Sequence, residues 1–400
     1  MDSQLPKISL AMIVKDEAAC LKRCLDSAAN LVHEMVIVDT GSTDKTVEIC
    51  RSYNARVFSY LWDNDFSAAR NFGLERATQD WVLWLDADEE IDQENRDQLQ
   101  EVQLGDYDAF SLPLINYFGD GIDSNEAVVI GQPRLFRNHM GFRFESRIHE
   151  WLDLSAAYAQ NRVGFLDIKI HHYGYTDASV ENKRKYDRNV GMLLNELKEN
   201  DSQAWIHYYL AAEYHRRKEY QKAFDHVNRA IRLFIDEGLI PPPSMLYSLK
   251  YSILIETASW DGAWPGIRSA VKMFPDYVDL KFFMGVILYY KQMYQEALTC
   301  FQECLAMGEN NLNYLSIKGL GSFRAWHFAG LCYEKLARPE QAFLAYIQAL
   351  SVSERFPAAR EALAKLLSSQ PDAFLDRARN QLEPEELDRF HQMINAERRC

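Results

Sequence analysis

Apolar positions in the first part of the chain come in short unbroken runs, each closed by polar residues and followed by a stretch with helical spacing. Ile8–Val14 ends at Lys15-Asp16-Glu17, and residues 18–31 then set Leu21, Cys24, Leu25 and Ala28 at helical intervals. Residues 35–38 form a second run, closed by Asp39-Thr40-Gly41-Ser42-Thr43-Asp44, where Ser42 or Thr43 is expected to cap a helix beginning near Lys45. A third strand is expected around residues 56–58, a helix from about Asp65 to Leu74, and a fourth strand from Trp81 to Asp86. Strand and helix alternating in this rhythm predict a wound, mostly parallel α/β sheet.

Past Ser179 the period becomes helical throughout. Residues 204–233 carry Leu210, Ala211, Tyr214, Tyr220, Ala223 and Ala230 at the small and large positions of a tetratricopeptide helix pair. The register returns in residues 278–307 and 323–352, and a divergent copy spans residues 244–275 and closes on Pro275. Taking Ala223, Ala263, Ala297 and Ala342 as equivalents, the steps are 40, 34 and 45 residues, against a repeat of roughly 34. Both long steps hold insertions, at residues 238–243 and 310–321. The expected organisation is an α/β domain at 1–178, a connecting helix at 179–200, helical repeats at 201–368 and a helical tail at 369–400.

Composition supports two cores, with 48% hydrophobic residues in a chain of 400. The net charge of −14 argues against nucleic-acid or anionic-membrane binding as a general function. The seven cysteines form no disulfide framework or zinc spacing and are expected to be reduced. No window reads as a membrane span, and residues 1–7 lack the regions of a secretory signal, so a cytoplasmic protein without integral membrane association is expected.

The richest chemistry lies where the fourth strand ends, in Leu85-Asp86-Ala87-Asp88-Glu89-Glu90. Ligands of α/β sheets bind beyond the carboxyl ends of strands, and hard carboxylate oxygens there suit Mg2+ or Mn2+ together with a substrate phosphate. Acidic residues also gather at helix N-termini, so the short pattern has a plainer reading as well.

The order "AMIVKDE", "VIVDTGSTDKT", "FSAARNFGLERATQDW", "LWLDADEEI", followed by "PRLFRNHMGFRFESRIHEWL" and "IKIHHYGY", resembles inverting nucleotide-sugar glycosyltransferases of the GT-A fold, family 2 type. It is most similar to bacterial members with appended tetratricopeptide repeats that glycosylate peptides or proteins, bacteriocin S-glycosyltransferases among them. The resemblance implies a GT-A catalytic domain followed by an all-α repeat domain. Its donor would be a nucleotide-sugar, a UDP-sugar in first place, with Mn2+ or Mg2+ as cofactor.

Residue roles follow from the same resemblance. Asp88 is expected as the direct metal ligand, Asp86 near the metal and ribose, and His172 as the late histidine closing the metal site. Since successive strand residues face opposite ways, only one of His171 and His172 can serve it. Asp39 matches the acid that accepts a hydrogen bond from the base, and Arg70 the arginine that reaches the nucleotide, with Ile13, Lys15 and Glu17 beside it. Arg134 is a further candidate for phosphate.

Inverting transfer needs a base facing the leaving diphosphate across the sugar, and Glu150 is the candidate, with His149 orienting the site. The competing reading pairs Glu150 structurally with Arg143 or Arg147. The expected partners are the nucleotide-sugar, a peptide or protein acceptor held by the repeats, and a second copy of the chain if the repeats dimerise. Two alternatives stand beside this. One is a saccharide or lipid-linked acceptor, as in lipopolysaccharide-core transferases; the other is a repeat-based scaffold with a vestigial transferase domain.

Overall fold

The run Trp81–Trp84 is apolar at every position because both of its faces are covered. Trp81 and Leu83 enter one hydrophobic core with Leu10, Met12, Leu21 and Leu25, while Val82 and Trp84 enter another with Ala11, Phe136 and Phe144. Alternate strand residues point to opposite faces, so a strand buried on both sides reads as a continuous apolar stretch. A computed structural model describes residues 6–94, 96, 98–101, 105–119, 125–176, 182–309 and 311–369.

The chain divides into two compact units, Met1–Asp201 and Ser202–Cys400. The first contains β1 (Ile8–Val14), α1 (Leu21–Ala28), β2 (Glu34–Asp39), α2 (Thr46–Ser52), β3 (Arg56–Ser59), α3 (Phe66–Leu74), β4 (Trp81–Trp84) and β5 (Glu89–Ile91). It continues through α4 (Gln98–Glu101), β6 (Ala109–Gly119), β7 (Ala127–Arg137), β8 (Phe144–Glu145), β9 (Trp151–Leu152), α5 (Ser155–Ala159), β10 (Val163–Phe165), β11 (Ile170–Thr176) and α6 (Asn182–Glu199).

The sheet order is β3-β2-β1-β4-β7-β6-β11-β5, with β10 beside β6. Strands β1 to β4 pair in parallel, as alternation with helices predicts. Beyond β4 the sheet is mixed, because β7 runs antiparallel to both β4 and β6, and β5 antiparallel to β11. Two local expectations also change. The acidic run after β4 does not prolong the strand or open a helix; Asp86 to Asp88 form a turn and β5 follows at once. Nor does Ser42 or Thr43 cap α2. Ser42 Oγ accepts from the Asp16 N–H and the Thr43 hydroxyl donates to Asp16, while Asp44 accepts from the Thr46 N–H at 2.9 Å.

The second unit is helical: α7 (Ala204–Arg216), α8 (Tyr220–Asp236), α9 (Ser244–Glu256), α10 (Trp260–Ala263), α11 (Ile267–Met273), α12 (Val278–Tyr290), α13 (Tyr294–Met307), α14 (Phe323–Lys335), α15 (Pro339–Val352) and α16 (Pro357–Ser369). Ala223, Ala263, Ala297 and Ala342 are all fully buried, as equivalent small positions should be. At Gly330 a β-carbon would lie 2.3 Å from the Tyr346 ring, so α14 and α15 meet only because that position has no side chain. The divergent second copy has its second helix split into α10 and α11, with Pro265, which lacks an N–H, between them. The expected tail falls outside the described residues from 370 onward, as do residues 179–181 of the expected connecting helix.

The insertion ahead of α14 is not a loose loop. Tyr314 stacks on Tyr277, with centroids 4.3 Å apart, and the Tyr277 hydroxyl donates to the Leu315 carbonyl. The fully buried Asp279 receives the Ile317 N–H at 3.0 Å on Oδ2, while its Oδ1 has no hydrogen-bond partner. Burial pushes this carboxyl up to about 8, with the Ile317 and Ser316 hydrogen bonds opposing.

Candidate active site

The carboxyl ends of β1 and β4 open into a cleft of about 440 Å3 within the first unit. Its lining includes Ile13, Lys15, Glu17, Arg70, Asp86, Asp88, His149, Glu150 and His172, residues that stand up to 159 positions apart (172 − 13) yet converge on one space. The sequence also places Asp39 and Arg134 here, and the structure does not bring either to the cleft wall. Asp39 is 8% exposed at the end of β2 and accepts from the Ser42 N–H, while its neighbour Thr40 lines the cleft.

Arg134 lies beneath the site. It is 2% exposed, pairs with the equally buried Glu89 at 2.6 Å and sits 3.7 Å from the Trp84 ring centre. The expectation of a phosphate contact is therefore corrected, because Arg134 is committed to a carboxylate inside the fold. Burial raises the Glu89 carboxyl despite Arg134. Glu89 in turn fixes the acidic turn, since its Oε2 receives the Asp86 N–H at 2.8 Å and its own N–H donates back to the Asp86 carbonyl.

Arg70 is placed by α3, whose first turn is capped by Asp65 accepting from the Ala68 N–H. The next residue, Asn71, bonds both the N–H and the carbonyl of Phe144 at 2.8 Å, imitating a strand partner and fastening β8 to α3. The turn between β8 and β9 thus carries Ile148, His149 and Glu150 over Arg70. The Arg70 guanidinium bonds Glu150 and Asp86, each at 2.6 Å, and lies 4.5 Å from the Trp84 ring centre. Neither alternative partner holds Glu150: Arg143 pairs with Glu75, and Arg147 with Glu199. Burial opposes the charge on Asp86, but Arg70 and Arg134 outweigh it and hold the carboxyl below its ordinary range.

The two adjacent histidines face apart. His171 bonds Tyr117 and Asp92, whereas His172 Nε2 lies 3.5 Å from Asp88 Oδ2 in the cleft. Burial lowers the His172 pKa, but Asp88 more than compensates and the net shift is upward.

Among the described residues no group of three or more His, Cys, Asp or Glu side chains is clustered closely enough to hold a metal alone. The expected set of Asp86, Asp88 and His172 is incomplete because Asp86 turns to Arg70. Asp88 and His172 nevertheless suit a divalent cation chemically, a carboxylate oxygen beside an imidazole nitrogen. The space around them is kept clear by Gly174, where a β-carbon would come within 2.2 Å of Asp88 Oδ2 and 2.7 Å of His172 Nε2.

Sequence reasoning missed part of the wall. Trp62 and Phe66, whose rings meet edge to face at 4.7 Å, line the cleft together with Arg188 and Asn189 of α6. The aromatics flanking "DND" were a visible signal; Arg188 and Asn189 had none, since nothing in a helical pattern says which turn returns to a distant cleft.

Residues 9–169 match the profile of glycosyl transferase family 2. They are a glycosyl transferase family 2 domain. The chain is 30% identical over 261 residues to a TPR repeat-containing protein of Synechococcus elongatus, covering 64% of this chain and 62% of that one. It is 27% identical over 237 residues to the SPbeta prophage-derived glycosyltransferase SunS of Bacillus subtilis, covering 57% and 54%. An uncharacterized glycosyltransferase of Rickettsia prowazekii is 35% identical over 121 residues, covering 29% and 41%. The chain therefore spans less than two thirds of the curated relatives it matches, at 62% and 54% for the first two. In the transferase domain the matched segment contains the cleft residues from Ile13 to Glu150, and His172 follows it on β11.

Proposed function

We propose that this chain transfers a sugar, with inversion, from a nucleotide-sugar donor, first of all a UDP-sugar, to a peptide or protein acceptor. One observation carries the reading: a family 2 domain in which Asp86, Asp88, Arg70, Glu150 and His172 converge on one cleft. Asp88 and His172 would hold Mn2+ or Mg2+. When bound, the cation neutralises charge gathering on the departing diphosphate. Arg70 and Asp86 line the same cleft, and Lys15 at the end of β1 would add a cation for the phosphates.

In the transfer the acceptor's nucleophilic atom bonds to the anomeric carbon on the face away from the diphosphate. The bond from that carbon to the diphosphate oxygen breaks, and its electron pair leaves on the nucleoside diphosphate. The acceptor proton passes to Glu150, whose Oε1 is already oriented by Arg70. His149 lines the same wall and orients the acceptor side.

The helical repeats support a chain-like acceptor, since stacked repeats expose extended surfaces suited to a peptide. Release of UDP from a panel of UDP-sugars with Mn2+, coupled to mass spectrometry of modified peptides, tests the proposal. Turnover with a saccharide and none with any peptide would move the acceptor to the alternative class, and absence of all turnover would leave a scaffold.

A further inference from the structure

His172 Nδ1 lies 2.7 Å from Asn116 Oδ1. Asn116 stands on β6, opposite Val128 of β7 and beside His172 of β11, and its Nδ2 donates to the Val128 carbonyl at 3.4 Å. Turning the amide over would set its oxygen against that carbonyl, acceptor to acceptor, and Asn116 is only 8% exposed, so water offers little compensation. The amide therefore has one favourable orientation, with Oδ1 toward the imidazole. An amide oxygen has no proton to give, so His172 Nδ1 must carry the N–H. Nε2 then faces Asp88 Oδ2 at 3.5 Å, and a divalent cation taking the place of the proton between them would meet the Nε2 lone pair.

His171 is arranged the other way round. Its Nε2 meets the Asp92 carboxylate at 3.0 Å, so Nε2 carries the proton there, and its Nδ1 accepts from the Tyr117 hydroxyl at 2.8 Å. Adjacent histidines on one strand are thus held in opposite tautomers by different neighbours. Of the two, only His172 turns Nε2 to the cleft with its other nitrogen fixed as the N–H, so that Nε2 is the atom a cation can take.

We propose that Asn116 is the positioning residue that sets the His172 tautomer and so makes Nε2 a ligand for a divalent cation shared with Asp88. The inference rests on the metal reading above and adds to it a residue outside the cleft lining. It follows the general pattern in which the non-ligating nitrogen of a metal-bound histidine is fixed by a hydrogen-bond acceptor.

Mn2+ affinity measured by calorimetry or electron paramagnetic resonance on the full chain, without substrate, tests it. Asn116→Leu removes the acceptor and should weaken Mn2+ binding by roughly 10- to 100-fold, the usual range for loss of such a partner. Asn116→Asp keeps an acceptor for Nδ1 but sets its second oxygen against the Val128 carbonyl, so it should recover binding in part, clearly above Asn116→Leu. Should Asn116→Leu fail to fold, nitrogen-15 correlation spectra of the unaltered protein with Mg2+ remain decisive. They should show the proton of His172 on Nδ1 and that of His171 on Nε2, assigned with His172→Gln and His171→Gln. A His172 proton on Nε2, or a folded Asn116→Leu chain that binds Mn2+ as tightly as the unaltered chain, would overturn the inference. If the unaltered chain bound no Mn2+ while keeping the Nδ1 tautomer, the metal reading itself would fail and the inference with it.

Discussion

Arg70 Nε lies 2.6 Å from Glu150 Oε1, joining the third helix of the transferase domain to the turn that carries the expected base. The same guanidinium reaches Asp86, so one side chain spans the acidic turn and the turn between β8 and β9. Glu150 keeps 11% of its side-chain surface exposed and Asp86 35%, so solvent screens the second bridge more than the first.

Removing Arg70 leaves both carboxylates without their shared cation. Arg70→Ala should destabilise the first unit by about 3–5 kcal/mol, the range for breaking a largely buried pair from one side. Part of that loss should return in Arg70→Ala combined with Glu150→Gln, because the second change removes the stranded charge. Denaturant unfolding of the four proteins checks this; additive effects would mean that the bridge contributes nothing beyond packing.

Glu150→Gln keeps an oxygen for Arg70 and loses the charge that receives a proton. Nucleotide affinity should stay within a few-fold while transfer falls by roughly 10²–10⁴. Parallel loss of nucleotide binding would reassign Glu150 to the donor side.

Asp88→Ala should abolish metal-stimulated donor hydrolysis and leave the thermal transition of the repeats in place. Undiminished turnover by the unaltered chain in EDTA would remove the cation from the reaction.

Asp279 predicts a pH dependence of stability in the second unit. Its folded carboxyl titrates near 8, from an ordinary value of 3.8, so between those values the folded state holds a proton that the unfolded chain has released. Stability is therefore lost as pH rises across that window, with a limiting slope of about 1.4 kcal/mol per unit. Asp279→Asn should flatten the dependence and raise the melting temperature at pH 8 relative to the unaltered chain. Equal pH profiles for the two would show that Asp279 is ionised at no cost in the fold.

A chain ending at Asp201 should retain UDP-sugar binding, because every donor residue assigned above lies within the first unit. Transfer to a macromolecular acceptor should collapse if the repeats supply most of its contacts. Full efficiency in the shortened chain would leave the repeats another role.

The strand runs and the repeat register were legible because each depends on local periodicity or on a polar break after an apolar run, whereas the turn of the acidic residues into β5 was not. Arg70 was singled out by its place in "FSAARNFGLERATQDW", and it lines the cleft; the clasp of Asn71 on Phe144 beside it had no signal in the sequence. Arg134 misled for the opposite reason. An arginine on a strand has the same letter whether it faces phosphate or a buried glutamate, and Glu89 became its partner only through the pairing of β4 with β7. Asn116 gave no signal, since its part depends on β6 lying between β7 and β11, a mixed arrangement the alternating pattern did not predict.

Glu89 has one further consequence. It holds the Asp86 N–H on one oxygen and Arg134 on the other, so the turn bearing the cleft acids is tied to the centre of the sheet. Active-site loops usually open locally, and their amides exchange with solvent long before the core does. Here the Asp86 amide cannot be released without also freeing a carboxylate that sits 1% exposed against Arg134. Its hydrogen exchange should be as slow as that of Leu83 in mid-strand, and the two should exchange together, in a single opening event.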